Sequence, residues 1–236
     1  MVAGGRTMLG ATGGVEQAPC RGSSARYNRR MFSRYVSPDP LSIEREFDLV
    51  HAPWEFSDNF NVAPTSAIPV IRVIDGQPDP AVLQWGFGDP VLYQVAAESL
   101  SGEKGLLAHG QRCILPAMGF YELQDSAKDP PRPFYVHIED QAVFGFAGFW
   151  ERGSCVVVTV PANTLIKELA GVETRMPAVL AREMRDVWLY GSAASAAAAL
   201  CPYPSASVIA YPVSTRVCSL ENNDETLIEP LETDVD

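Results

Sequence analysis

The run Arg112-Cys113-Ile114-Leu115-Pro116-Ala117-Met118-Gly119-Phe120-Tyr121-Glu122 carries an apolar strand into a Pro/Gly turn and sets one carboxylate directly after two aromatic residues. Apolar surroundings disfavour the ionised carboxylate, so a Glu placed there has a raised pKa and suits general acid/base work. The alternative on composition alone is a structural ion pair, with Glu122 meeting an arginine such as Arg175 or Arg34. Two further clusters stand out, Glu173-Thr174-Arg175-Met176-Pro177 and Asn59-Phe60-Asn61-Val62-Ala63-Pro64-Thr65. Neither spacing by itself dictates a reaction.

Other chemistries find less support. Cys20, Cys113, Cys155, Cys201 and Cys218 are odd in number and widely spaced, without a C-x-x-C pair, and read as free thiols. Cys113 and Cys155 fall on apolar strands and read as buried filler. His51, His109 and His137 are isolated, so neither a metal site nor a cofactor is expected. Ser33 has no adjacent histidine to activate it as a nucleophile.

The elements that position these residues follow from the apolar pattern. Pro69 to Ile74 and Ala81 to Phe87 flank Asp75-Gly76 and read as a hairpin. Strands are also expected at Arg112 to Leu115, Phe134 to Ile138 paired with Val143 to Phe149 across Asp140-Gln141, Ser154 to Val160, Met176 to Leu180, and Val208 to Val213. Helices are expected at Pro40 to Glu46, near Asn163 to Leu169, and over Arg182 to Leu200, where Met184, Val187, Trp188 and Leu189 form one apolar face. Many short strands with few helices predict an α+β fold built on a curled, mainly antiparallel, barrel-like sheet. At 236 residues, with 47% hydrophobic and 20% charged, the chain has enough apolar material for one core.

Charge divides the chain. Five arginines against Glu16 leave residues 1 to 30 at +4, so against the chain total of -11 the remainder carries -15. Such a body repels a phosphate backbone except where a local basic groove intervenes. Residues 1 to 30 are rich in Gly, Ala, Ser and Arg without apolar periodicity and read as a flexible extension, followed by one domain over 31 to 231 and an acidic tail at 232 to 236. The longest near-apolar run, around Ala193 to Leu200, falls well short of the roughly 20 residues a membrane-spanning helix needs. No membrane partner is expected, and the chain reads as cytoplasmic.

Taken in order, these strings resemble the SOS response-associated peptidase (SRAP) family, whose members bind single-stranded DNA and cross-link covalently to abasic sites. Ser33-Arg34-Tyr35 resembles the end of the family's M-C-G-R-Y, Asn61 to Thr65 its N-x-A-P-T, and Trp85-Gly86 its R-W-G. Arg112 to Glu122 resembles R-C-L-V-P-A-D-G-F-Y-E-W, Ala147 to Glu151 resembles A-G-L-W-E, and Pro161-Ala162-Asn163 resembles T-x-A-N. Arg175-Met176-Pro177 and the stretch from Val213-Ser214 through Asn223-Asp224 to Leu227-Ile228-Glu229-Pro230 complete a collinear match over 31 to about 230. The resemblance implies a catalytic role for Glu122 and DNA contacts from Arg34, Asn61, Trp85, Gln94 and Arg175.

The departures are as informative. The family's cysteine, which condenses with the aldehyde of an opened abasic sugar, aligns with Phe32, and its histidine with Glu173. A phenyl ring has no nucleophilic atom. Gln94 and Ala96 stand for the Asn and Arg of N-A-R-x-E, Leu123 for the tryptophan after the Glu, Gln84 for the arginine before Trp85, Ser33 for a glycine, and Cys218 for an asparagine. Loss of a phosphate contact and of a stacking ring costs on the order of 1 to 3 kcal/mol each. The resemblance therefore implies a pseudoenzyme with at most weak non-covalent binding of single-stranded DNA in a damage response. Two other readings stand beside it. One is an acidic interaction module of phage or mobile-element origin that engages a basic protein. The other is a hydrolase or lyase using Glu122 and Glu173 as a carboxylate pair.

Overall fold

The computed structural model describes residues 32–50, 52–102, 105–124 and 131–231. The proposed extension 1–30, His51 and the acidic tail 232–236 lie outside the described residues. The strands are β1 (Tyr35–Ser37), β2 (Asn59–Val62), β3 (Ala67–Ile74), β4 (Gln77–Trp85), β5 (Gln94–Ala96), β6 (Gln111–Ala117), β7 (Gly119–Leu123), β8 (Pro133–Ile138), β9 (Phe144–Glu151), β10 (Ser154–Pro161), β11 (Arg175–Pro177), β12 (Val179–Leu180) and β13 (Val208–Pro212). The helices are α1 (Pro40–Glu46), α2 (Leu106–His109), α3 (Thr164–Ala170), α4 (Arg185–Tyr190) and α5 (Ala193–Ala198).

One sheet runs β13-β8-β7-β1-β2. The other closes on itself: β4, β3, β6, β9 and β10 are each bonded to the next, and β10 returns to β4. Every contact in that ring is antiparallel except β10 with β4, and β5 adds a second parallel contact to β10. This is the expected α+β fold with a curled, mainly antiparallel sheet.

Local chemistry accounts for the turns. Asp75 and Gly76 both adopt positive φ, 49° and 76°, and set Ile74 opposite Gln77, a two-residue turn whose twist matches that of the strands. Arg152 and Gly153, at 49° and 89°, do the same between β9 and β10. Asp39 caps α1 by accepting from Ser42 N at 3.1 Å, and Asn163 caps α3 by accepting from Ile166 N at 3.0 Å.

Some of the expected elements need correction. β8 and β9 do not form a hairpin across Asp140-Gln141: β8 lies between β7 and β13, so both its edges are taken, and β9 crosses to the ring. The β9 sequence explains this, because Phe144 to Phe149 is buried throughout, as a strand enclosed on both faces requires. The helix expected over Arg182 to Leu200 is broken into α4 and α5, because Gly191 ends one and the Ser192 side chain caps the other through Ser195 N at 3.1 Å. Arg112 Nη2 donates to Gly191 O and ties that break to β6.

The main core lies inside the ring and against one face of the five-stranded sheet. A smaller cluster of Val36, Tyr121, Tyr135, Val213, Val217 and Leu227 covers the other face. No helix among the described residues is long and apolar enough to cross a membrane. Cys113, Cys155 and Cys201 are free thiols, and the first two are buried. Cys218 is disulfide-bonded, which corrects the free-thiol expectation there.

Candidate functional site

β7 carries Glu122. Side chains alternate along a strand, so Tyr121 joins the smaller cluster while Phe120 and Glu122 turn toward the main core. Glu122 is only 6% exposed, and its Oε1 meets no hydrogen-bond donor among the described residues. Burial pushes its carboxyl up to about 8. At neutral pH it is therefore mostly the neutral acid, a proton donor held in a dry setting.

The ion-pair alternative is not what the fold builds. Arg34 Nη1 donates to Asn61 Oδ1 at 2.7 Å and to Val217 O at 3.2 Å. Arg175 turns to Glu98, which accepts from Nη1 at 3.2 Å and from Nη2 at 2.7 Å. Glu173 is exposed on the turn between α3 and β11, and burial alone raises Glu122, with no part played by a second carboxylate.

Phe32 is fully buried, and its ring packs against four others: Trp85 and Phe146 at 5.6 Å between centroids, Phe120 at 5.8 Å and Tyr35 at 6.4 Å. It thus packs against the strand of Glu122 through Phe120 and against the end of β4 through Trp85. Trp85 belongs to the same packing; it is fully buried, its Nε1 donates to Tyr93 O at 2.8 Å, and its ring meets Tyr93 edge-on.

Gln94 opens β5 opposite Val157 and is 6% exposed, with no donor to its Oε1 among the described residues. Two residues on, Ala96 pairs with Thr159, and Arg175 Nε donates to Thr159 Oγ1 at 3.0 Å. Gln94, Ala96, Glu98, Thr159 and Arg175 therefore form one cluster on the β5–β10–β11 side of the ring. Thr159 was not singled out from the sequence and Glu98 entered only as the last residue of the stretch resembling N-A-R-x-E, since their contacts with Arg175 span 16 and 77 positions.

Asn61 is engaged within the protein. Its Nδ2 lies within 3.2 Å of Val217 O, 2.8 Å of Ser219 O and 2.9 Å of Asn222 O, so the amide pins the 217–222 segment to β2. Arg34 completes that network. Tyr121 Oη, donating to Phe60 O at 2.8 Å, anchors the same strand from β7.

The family model for the SOS response associated peptidase (SRAP) matches residues 31–220. The chain belongs to the SRAP family. Among its curated relatives, the abasic site processing protein YoaM of Bacillus subtilis (strain 168) is 27% identical over 222 residues, covering 84% of this chain and 96% of the relative. The abasic site processing protein YoqW of Bacillus phage SPbeta is 29% identical over 201 residues, covering 74% and 87%. Among solved structures, a Bacteroides thetaiotaomicron protein superposes with a TM-score of 0.75 at 19% identity, covering 85% of this chain and all of that one. A phage-related protein of Bordetella bronchiseptica gives 0.63 at 22%, covering 77% and 93%. These structural likenesses show that the fold is shared.

Proposed function

We propose that this SRAP protein engages abasic, single-stranded DNA without forming a covalent link, as a pseudoenzyme that keeps the scaffold and a weak, salt-sensitive grip. The observation that carries this reading is Phe32. The position aligned with the family's nucleophile holds a phenyl ring buried among Tyr35, Trp85, Phe120 and Phe146. Whatever the processing of the N-terminus, that side chain supplies no atom to attack an aldehyde.

What remains suits recognition. Glu122, neutral at pH 7, can donate a hydrogen bond to a sugar oxygen, and the orphaned Gln94 Oε1 can accept one from a hydroxyl. Arg175 provides the cation for a phosphate. Arg34, Asn61 and Trp85 act behind these groups by holding the walls.

The relatives' names, abasic site processing proteins, support abasic DNA as the ligand class. The test is fluorescence anisotropy of a labelled single strand, abasic against intact, at two salt concentrations, run beside a denaturing gel. The expected result is micromolar, salt-sensitive binding with no heat-stable adduct. An adduct would overturn the loss of covalent chemistry, and no binding at any concentration would overturn the DNA reading.

The body charge of -15, together with the internal partners of Arg34, Arg112 and Arg175, favours a second reading, an acidic module for a basic protein. Absence of DNA binding beside retention on a basic protein surface would select it.

A further inference from the structure

Arg175 is held from two sides. Its Nε donates to Thr159 Oγ1 at 3.0 Å and its Nη2 to Thr159 O at 2.7 Å, which fixes the guanidinium plane against β10. The outer edge of the fork, Nη1 and Nη2, closes on the two oxygens of Glu98. A guanidinium grips a phosphate with this same bidentate edge.

The two sides differ in access. The Glu98 side chain is 57% exposed and that of Arg175 25%, so the carboxylate is the part solvent reaches first. The hydrogen bond from Arg175 holds the Glu98 carboxyl below its ordinary range, so it is ionised at neutral pH. Its backbone is fixed by the short 3-10 turn Ala97–Ser99, with Ser99 Oγ donating to Ala96 O at 2.7 Å and Leu100 N to Ala97 O at 3.1 Å. An exposed pair of this kind contributes little to stability and is readily exchanged for another anion.

We propose that Glu98 is a built-in phosphate mimic that guards Arg175, occupying the edge that a backbone phosphate of a single strand takes on binding. The proposal rests on the DNA-binding reading above and adds a specificity device to it. A strand gains Arg175 only by displacing Glu98, which favours ligands with enough further contacts to do so. The Thr159 bonds keep the guanidinium in place when the carboxylate leaves.

The experiment compares the wild type, Glu98→Ala, Arg175→Ala and the double variant by anisotropy with a labelled single-stranded oligonucleotide, with Glu139→Gln as a control for net charge. Removing the guard is expected to tighten binding roughly two- to fivefold, the scale of one exposed ion pair. The gain should vanish in the Arg175→Ala background. A gain that survives there, or that Glu139→Gln matches, overturns the guard, because net charge then explains it. A wild type that binds, with Glu98→Ala no tighter, overturns the guard and leaves the DNA reading standing. Failure of both proteins to bind overturns both, while binding by Glu98→Ala alone supports a complete block.

Discussion

The ring of Phe32 meets the ring of Phe120 edge-on, at 85° with 5.8 Å between centroids, two residues before Glu122 on β7. Phe32 is thus a core side chain, and its contacts on Phe120 help fix the strand that carries Glu122. Replacing it with Cys removes most of an aromatic ring from a closed cluster. Phe32→Cys should lower stability by about 2 to 4 kcal/mol in denaturant unfolding.

Glu122 makes stability depend on pH. Its carboxyl titrates near 8 in the folded protein against an ordinary 4.5, so the folded state binds the proton more tightly. The neutral form is the stabilising one. Stability from this group is complete below about pH 4.5 and falls as pH rises through about 8, by about 1.4 kcal/mol per unit of difference. Melting temperature against pH should show that decline in the wild type and lose it in Glu122→Gln. Parallel curves for the two proteins would refute the assignment.

Much of the fold was legible because its signals are local. Asp75-Gly76 announces the β3–β4 turn through the two residue types that tolerate positive φ, and Pro40 with Asp39 announces α1. The burial of Glu122 was equally legible, since two aromatics and an apolar strand lead into it. Strand partnership was not, because β8 and β9 are adjacent in sequence and their assignment to different sheets depends on which edges are already occupied. The partners of Arg34 and Arg175 escaped for the same reason: Val217 and Glu98 lie 183 and 77 positions away. Their pairing follows only from the closed ring and the strands flanking it.

Gly119 marks a point of close approach. A Cβ there would overlap the ring of Tyr135, which is buried in the smaller cluster. Gly119→Ala should therefore cost about 1 to 3 kcal/mol as an overpacking change. The cost should shrink in a Tyr135→Leu background, a coupling that a double-mutant cycle in denaturant measures.

Asn61 separates a structural role from a DNA-contacting one. Its amide is 4% exposed, with Nδ2 facing three carbonyls and Oδ1 taking the Arg34 donor, so every polar atom is engaged within the protein. Asn61→Leu strands Asn222 O and removes one partner each from Ser219 O, Val217 O and Arg34, which keep the Asn222 N–Ser219 O and Arg34–Val217 O bonds, so it should cost roughly 1 to 3 kcal/mol. The 217–222 segment should then show faster amide exchange before the ring does. Binding of a single strand should weaken with the log-log salt slope unchanged, whereas losing a phosphate-contacting residue lowers that slope by about one contact. A reduced slope in Asn61→Leu would move the Arg34–Asn61 pair from the wall of the site into its DNA-contacting surface.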